Sequence, residues 1–327
     1  MKEISISAND AGQRLDRFLK KYLKNASLSY VYKALRKDVK VNGRRQKEDY
    51  MLCEGDVLQL YIADSELAAL TEVRKRRGTA KRQFKVIYED DDMIAVSKPF
   101  GLLVHGDSTE KKDTLANQVT DYLIETGAYA PRLEKSFVPS PVHRLDRNTT
   151  GLVVFGKNAA ALRTLSLMFR EDGHVRKFYC TIVYGCLERK LHLKNMMVKD
   201  ADRNRVRVLP LGSPDGKYIE TIVRPVRPGE DYSLVEVELV TGRSHQIRAH
   251  LAYAGHPVIG DSKYAGRKFA AQAKWLEDNY ALSTQLLHAE RLEITDAPAP
   301  LEHLGGLVLE APLPENWRAL ERGLIGE

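Results

Sequence analysis

The sequence has few cysteines and no long apolar run, and both absences exclude whole classes of protein. Its three cysteines, Cys53, Cys180 and Cys186, are too few and too scattered for a disulfide framework or a four-ligand zinc site. No run of about 18 apolar residues could cross a membrane, and residues 1–5 lack the apolar stretch of a signal peptide. We therefore expect a protein of the reducing cytoplasm, without a membrane segment.

Spaced motifs for metal ions and nucleotide cofactors are also absent. The chain has nine histidines, but none stands in a His-Glu-x-x-His motif, and no Cys-x-x-Cys pair occurs. Histidines scattered in this way are ordinarily structural residues or substrate contacts. We expect neither a metal ion nor an organic cofactor.

Positive charge is concentrated in the first quarter of the chain. Residues 1–83 contain 19 Lys and Arg against 11 Asp and Glu, whereas residues 84–327 contain 32 against 33. The net charge of +7 therefore comes from the N-terminal segment alone. A basic segment on a near-neutral body is typical of an appendage that binds a polyanion.

The N-terminal segment carries the pattern of a small α/β domain over residues 1–62. The predicted elements are a helix from Leu15 to Leu23, a helix over residues 27–36 capped by Ser27 or Ser29, and strands over residues 39–41 and 57–62 with an Asn-Gly turn after the first. Lysines and arginines fill the polar positions of both helices, which is consistent with a solvated surface or with a binding surface. Residues 63–83 end in a charge run without apolar periodicity and predict a basic linker.

Residues 84–327 predict a larger α+β domain built on a mixed, mainly antiparallel sheet. Runs of strands with few helices between them argue against a doubly wound sheet. The predicted strands cover residues 86–88, 93–96, 152–155, 178–183, 205–209, 219–223, 234–240 and 286–294, and the predicted helices cover residues 114–124 and 159–169.

One stretch of this domain, residues 143–151, has the composition of a site for an anionic ligand. It reads His-Arg-Leu-Asp-Arg-Asn-Thr-Thr-Gly and ends just before a probable buried strand. An Asp beside Arg near a strand end is usually a solvated ion pair or a turn. However, the stretch resembles the His-Arg-Leu-Asp-x-x-Thr-Ser-Gly signature of the RluA-type pseudouridine synthases, with Thr150 in place of the usual serine.

Three further stretches resemble motifs of the same family, in the same order. They are the early lysine-proline motif at residues 98–105, the tyrosine segment at residues 177–179, and the segment at residues 241–251 followed by residues 255–261. The resemblance implies that Asp146 is the catalytic residue, that Arg248 points inward to pair with it, and that Tyr179 stacks on the target base. It also implies a pseudouridine synthase fold for residues 84–327.

Other positions are expected to contact the substrate. Arg144 would hold the uridine out of its stack or clamp a phosphate, and Leu287 would line the pocket. Ser244 is a plausible cap for the helix that carries Arg248. The complete set of predicted substrate-binding residues is His143, Arg144, Thr149, Arg243, His245, Gln246 and Leu287.

The N-terminal domain resembles the RNA-binding module first described in ribosomal protein S-four, over roughly residues 12–62. Such a module reads folded RNA largely through its shape and its phosphates. The residues expected to bind RNA are Arg14, Arg17, Lys33, Arg36, Lys37, Lys40 and Arg44. A basic appended domain favours large-subunit ribosomal RNA over transfer RNA as the partner, bound by a monomeric protein.

The reaction implied by the resemblance is the isomerisation of uridine to pseudouridine. It breaks the bond from ribose to N1, turns the uracil and joins ribose to C5. An aspartate with an ordinary pKa of about 3.9 is ionised at neutral pH and could attack the sugar or the base, or act as a base at the second sugar carbon. The alternatives are a non-catalytic ribosome-assembly factor and a nucleoside hydrolase, which would need a second acid such as the distant Asp261.

Overall fold

The computed structural model describes residues 1–72, 81–108, 110–200 and 205–326. Within these ranges the chain forms a small N-terminal domain and a large sheet domain. None of the described helices is both long and apolar enough to span a bilayer. The helices are α1 (Leu15–Tyr22), α2 (Leu28–Lys37), α3 (Asp64–Thr71), α4 (Leu115–Glu125), α5 (Ala159–Arg170), α6 (Gln246–Tyr253), α7 (Ala270–Tyr280) and α8 (Trp317–Ile325).

Among the described residues, the strands form two separate sheets. The strands are β1 (Lys2–Ser5), β2 (Val39–Val41), β3 (Val57–Leu60), β4 (Lys85–Glu89), β5 (Met93–Lys98), β6 (Ser140–Pro141), β7 (Thr150–Gly156), β8 (Val175–Tyr184), β9 (Leu191–Asp200), β10 (Arg205–Leu209), β11 (Lys217–Arg227), β12 (Tyr232–Leu239), β13 (Leu287–Ile294) and β14 (Val308–Glu310).

In the N-terminal domain, helices α1 and α2 pack on the antiparallel sheet β1-β3-β2. Both helices bury an apolar stripe, in α1 through Leu15, Phe18 and Leu19. The side chain of Ser27 accepts a hydrogen bond from the backbone N–H of Tyr30, which confirms the first of the two predicted caps. The predicted helices and strands of this domain are confirmed, whereas β1 was not predicted.

The first part of the predicted linker is a helix, so that prediction was wrong for α3. Its Leu67 is buried and packs into the core of the N-terminal domain, which therefore extends beyond residue 62. The apolar pattern of this helix is weak because only one turn of it faces the core. Most of the charge run at residues 74–82 lies outside the described residues.

The large domain is built on a sheet with the strand order β10-β9-β11-β12-β8-β13-β7-β5-β4, to which β6 and β14 add short edges. Every described pairing in it is antiparallel except that of β13 with β7. The predicted mixed, mainly antiparallel α+β domain is confirmed. Strand β9 was missed because its sequence, Leu-His-Leu-Lys-Asn-Met-Met-Val-Lys-Asp, is polar and only partly buried.

The parallel pairing of β7 with β13 brings the motif of residues 143–151 to the middle of the sheet. It requires glycine at position 151, which has φ +108° and where a Cβ would overlap the carbonyl oxygen of Ala289. The pairing places the loop before β7 beside Leu287 at the start of β13. A long-range backbone contact thus decides where Asp146 lies.

Candidate active site

A cleft of about 530 Å³ opens at the centre of the large sheet, between the loop before β7 and the N-terminus of α6. The end of α5 and strands β8, β12 and β13 complete its walls. All ten residues predicted to act in catalysis or substrate binding line this cleft. They are His143, Arg144, Asp146, Thr149, Tyr179, Arg243, His245, Gln246, Arg248 and Leu287.

Asp146 is presented to the cleft by a loop that is anchored from beneath by Lys98. The Lys98 ammonium is 1% exposed and donates hydrogen bonds to the carbonyl oxygens of Pro99, Leu102 and Arg147, at 2.8 to 2.9 Å. Burial lowers the pKa of Lys98 to about 7, against the opposing effect of the negative charge on Asp146. The lysine-proline motif therefore ties the end of β5 to the residue after Asp146.

Arg248 lies across the cleft from this loop and pairs with Asp146, as expected. Its Nη1 donates to Oδ2 of Asp146 at 3.1 Å, and the side chains of the two residues are 8% and 23% exposed. Arg248 bonds even more closely to Asp261, from Nε at 2.6 Å and from Nη2 at 2.9 Å. Burial disfavours the charged guanidinium, but Asp261 and Asp146 together raise the pKa of Arg248 above its ordinary value.

Asp261 is the site residue that sequence reasoning missed, since it was considered only as a distant second acid. Its side chain is 1% exposed, and Oδ1 also accepts hydrogen bonds from the backbone N–H groups of Lys263 and Tyr264. Gly260, with φ +72°, makes the tight approach to Thr284 that turns the chain here. A Gly-Asp pair at the end of a family motif was the signal that could have identified it.

The start of α6 differs from the sequence prediction. The helix begins at Gln246, and the residue before it is His245 with a left-handed φ of 58°, so Ser244 is not the cap. Gln246 closes the turn instead. Its Oε1 accepts from Thr241 Oγ1 and Arg243 N, and its Nε2 donates to two groups on β11. Because both ends of this amide are used within the protein, Gln246 supports the site and has no hydrogen bond left for a substrate.

His245 lies between the Asp146–Arg248 pair and Tyr264. Its Nε2 is 3.8 Å from Asp146 Oδ2, and its Nδ1 is 2.8 Å from the Tyr264 hydroxyl. Burial, reinforced by the charges of Arg248 and Lys263, lowers the pKa of His245, whereas Asp146 acts in the opposite direction. His245 and Arg248 thus both face Asp146.

Tyr179 and Leu287 form an apolar wall of the cleft. Both are buried, at 8% and 6% exposed, and they lie on the adjacent strands β8 and β13. Burial and the nearby charge of Asp146 raise the pKa of Tyr179, which therefore remains a neutral phenol at physiological pH. A flat ring beside a carboxylate suits stacking on a base. Stacking of Tyr179 on the target base stays a prediction.

His143 and Thr149 line the cleft at either end of the Asp146 loop. The His143 ring stacks on Phe169 at 4.7 Å, and its Nε2 accepts a hydrogen bond from the backbone N–H of Val154. Through these contacts His143 has a structural role in the wall of the cleft. Thr149 Oγ1 is buried and has no hydrogen-bond partner among the described residues. A hydroxyl in this position is available to a ligand.

Arg144 lies at the rim between this cleft and a second one of about 550 Å³, and Asp146 borders both. Basic side chains predominate around the second cleft, where Arg144, Arg147, Lys199, Arg205 and Lys263 contribute to its lining. Arg147 pairs there with Asp107 at 3.3 Å, both well exposed. The site therefore combines a cleft for one small group with a positively charged approach.

The residues expected to bind RNA lie on the N-terminal domain. Five of them are exposed, Arg17, Lys33, Arg36, Lys37 and Arg44. Arg14 is instead bound to Asp16 by two hydrogen bonds, at 2.8 and 3.1 Å, and Lys40 lies over the ring of Tyr61 at 5.2 Å. RNA binding by this set stays a prediction.

Comparison with known proteins places this geometry in a family. Residues 92–253 match the family model described as RNA pseudouridylate synthase. The chain is 34% identical over 330 residues to ribosomal large subunit pseudouridine synthase C of Vibrio vulnificus, a match that covers 98% of this chain and 96% of the relative. It is 34% identical over 325 residues to the protein of that name from Escherichia coli K12, covering 97% and 95%.

Solved structures share the fold. Human RNA Pseudouridylate Synthase Domain Containing 4 aligns with a TM-score of 0.56 at 23% identity, covering 72% of this chain and 92% of that one. Human RNA Pseudouridylate Synthase Domain Containing 1 aligns with a TM-score of 0.55 at 20% identity, covering 73% and 87%. With an arginine-paired aspartate in the family's motif and relatives that match it from end to end, the chain belongs to the RluA-type RNA pseudouridylate synthases.

Proposed function

We propose that this protein isomerises uridines of large-subunit ribosomal RNA to pseudouridine, with Asp146 as the catalytic carboxylate. The observation that carries the proposal is the pair of Asp146 and Arg248 at 3.1 Å, at the edge of a cleft walled by Tyr179 and Leu287. The relatives named as ribosomal large subunit pseudouridine synthases support the choice of RNA.

The chemistry requires a carboxylate that stays charged when a nucleotide displaces water from the cleft. Arg248 supplies the opposite charge, and because it is itself held by Asp261 it cannot turn away when the substrate enters. Asp146 then provides the charged oxygen that starts cleavage of the bond from ribose to N1. The uracil stays in the cleft, turns, and is joined to the same ribose through C5.

The target uridine has to leave its stack to reach Asp146, at a cost of roughly a few kcal/mol. A cleft of about 530 Å³ is in the size range of sites that enclose a small molecule. Tyr179 offers a face for stacking, and the Thr149 hydroxyl offers a hydrogen bond to the base. Arg144 at the rim is suited to fill the position that the target uridine leaves in its stack, or to bind a phosphate beside that position.

The second cleft supports RNA rather than a free nucleoside as substrate. Its basic lining continues from Asp146 and includes Lys199, Arg205 and Lys263. Burial lowers the pKa of Lys263, and the like charges of Arg248 and Arg205 add to this effect. Phosphates on either side of the target would neutralise this charge. The proposal includes action in the cytoplasm, as a monomer, without a metal ion or cofactor.

The test uses purified protein and an unmodified transcript of large-subunit ribosomal RNA. Mapping of pseudouridines after incubation should reveal modification at defined uridines with wild-type protein and none with Asp146→Asn. Release of free uracil would instead identify a nucleoside hydrolase. Binding of the transcript without any pseudouridine would identify a non-catalytic assembly factor.

A further inference from the structure

The N-terminal domain is joined to the large domain through the side chain of Asp10, which is completely buried. Oδ1 of Asp10 accepts hydrogen bonds from the backbone N–H of Ser136 at 3.2 Å and from its hydroxyl at 2.7 Å. Oδ2 accepts from the Ser7 hydroxyl at 2.8 Å and lies 3.7 Å from the Lys135 ammonium. A carboxylate is buried without loss of stability only when its oxygens are paired in this way, so the contact is specific.

Two neighbours of Asp10 extend this junction. Oδ1 of Asn9 accepts a hydrogen bond from the backbone N–H of Ala159 at 3.0 Å, and its Nδ2 donates to Glu134 at 2.7 Å. Nε2 of Gln13 donates to the Ser136 hydroxyl at 2.8 Å. Because Ala159 is the first residue of α5, the N-terminal domain is attached where that helix begins.

Helix α5 leads from this junction to the active-site cleft. Its 12 residues span about 18 Å. At its far end Ser166, Phe169 and Arg170 line the cleft. The helix therefore connects the two domains with the site.

One exposed face of α5 is polar from Arg163 to Arg170. Arg163, Ser166 and Arg170 follow the spacing i, i+3, i+7 that places them on one side of a helix, and all three are exposed. Arg163 Nη1 donates to the carbonyl oxygen of Ala11 at 3.1 Å, so this side chain crosses the domain boundary. Two acids lie close by. Glu171 is 3.8 Å from Arg170, in a pair too exposed to neutralise it strongly, and Asp172 lines the same end of the cleft.

The exposed face of α5 is continued by basic side chains of α1 on the N-terminal domain. Arg17 and Lys21 are exposed there, and Lys21 donates to Gln13 of the junction at 3.0 Å. Partial burial lowers the pKa of Lys21, and the charges of Arg17 and Arg163 add to the effect. The like charges of the two domains are thus close enough to act on one another across the boundary.

We propose that the RNA strand held in the cleft continues along the Arg163, Ser166 and Arg170 face of α5 to Arg17 and Lys21 of α1, so that both domains bind one continuous segment. The inference rests on the proposed function and adds the path that the RNA strand follows outside the cleft. Its occupant is a single strand of RNA, since exposed cations spread along α5 and α1 fit phosphates along one strand. Because the junction at Asp10 fixes α1 relative to Asp146, the distance between the cleft and α1 contributes to the choice of uridine.

The test compares the salt dependence of binding for two fluorescent oligouridylates, one of about 4 nucleotides that fills the cleft and one of about 16 that can reach α1. The variants are Arg163→Gln and Arg17→Gln. Lys274→Gln is the control, because Lys274 is an exposed cation on α7, which lines neither cleft.

For the long probe, each of the two test variants should reduce the slope of log affinity against log salt by about 0.7. The short probe should give the wild-type slope, and the control should match wild type with both probes. A wild-type slope for both test variants with the long probe would overturn the proposed path. So would an equal reduction with both probes, which would place these cations at the cleft itself.

Should Arg163→Gln prove unstable, Arg17→Gln decides the matter, because Arg17 makes no described contact with the large domain. Failure of the proposed function is a separate outcome. A wild-type protein that forms no pseudouridine in ribosomal RNA would disprove the activity, whereas the slopes would still report whether the strand follows α5.

Discussion

Arg248 donates two hydrogen bonds to Asp261, at 2.6 and 2.9 Å, and a third to Asp146 from Nη1. The fork of a guanidinium matches a carboxylate bound in this way and is fixed by it. The ring of Tyr264 lies against the same guanidinium, 5.2 Å from its centre. Asp146 therefore faces a cation whose position is set by the protein and not by the substrate.

Replacement of Asp146 by asparagine should abolish pseudouridine formation and leave RNA binding nearly unchanged. Asparagine has almost the same shape but carries no charge with which to start the reaction. Pseudouridine mapping and a binding titration on the same transcript measure both effects. Normal turnover by the purified variant would show that another group performs the chemistry.

Removal of the Arg248 side chain should reduce stability as well as activity. Arg248→Ala leaves two carboxylates, Asp146 and Asp261, without their cation, and breaking such a buried pair costs about 3–5 kcal/mol. Arg248→Lys should recover part of both properties, since it restores the charge but not the fork. Thermal unfolding and turnover of the two variants test this. An alanine variant that melts like wild type and remains active would contradict the buried pairing.

Asp261 is predicted to be a positioning residue for Arg248. Asp261→Asn should lower kcat far more than it raises KM, because it loosens the guanidinium without changing the surface that RNA contacts. Asp278→Asn on α7 is the matched control, since Asp278 is exposed and pairs only with Lys274 among the described residues. A rise in KM alone, with kcat unchanged, would mean that Asp261 serves substrate binding instead.

Two buried histidines should make the protein sensitive to acid. Burial lowers the pKa of His143 to about 3 and that of His250 to about 4. Unfolded histidine has a pKa of about 6.5, so between pH 6.5 and 4 the unfolded chain binds more protons than the folded one. Their stabilising contribution is therefore complete above pH 6.5 and is lost as the pH falls through this window.

Melting temperatures measured across this pH range test the histidine prediction. His250→Gln should give a shallower decline than wild type, because it removes one of the buried histidines that take up a proton on unfolding. His303→Gln, which removes an exposed imidazole, should keep the wild-type slope. A decline of the same steepness in His250→Gln would assign the acid sensitivity to other groups.

Activity is expected to persist after removal of divalent ions. The proposed reaction needs a charged carboxylate and its arginine, both of which the chain itself supplies. Enzyme treated with a chelator should modify an RNA that folds without divalent ions at an undiminished rate. Activity that returned only when a divalent ion was restored would contradict this.

Much of the fold followed from local patterns. The two N-terminal helices, the paired strands β4 and β5, and helices α4 and α5 were predicted because each buries one face at its own period. The local patterns did not reveal β9, which is polar because it lies near the sheet edge, or α3, of which one residue is buried. Strand β9 and helix α3 form only because neighbouring segments hydrogen-bond to them or pack against them.

The sequence by itself determined which residues could do the chemistry, because the motif around Asp146 and the segment ending at Arg248 carry their residue types and spacing within a few positions. The tertiary structure decided how these groups act together. Asp146 and Arg248 are 102 positions apart, and the folded sheet brings the loop before β7 and helix α6 to one cleft. Asp261 and Gln246 act through hydrogen bonds between separate segments of the chain, and Asp10 attaches the N-terminal domain in the same way. Local periodicity does not encode such contacts.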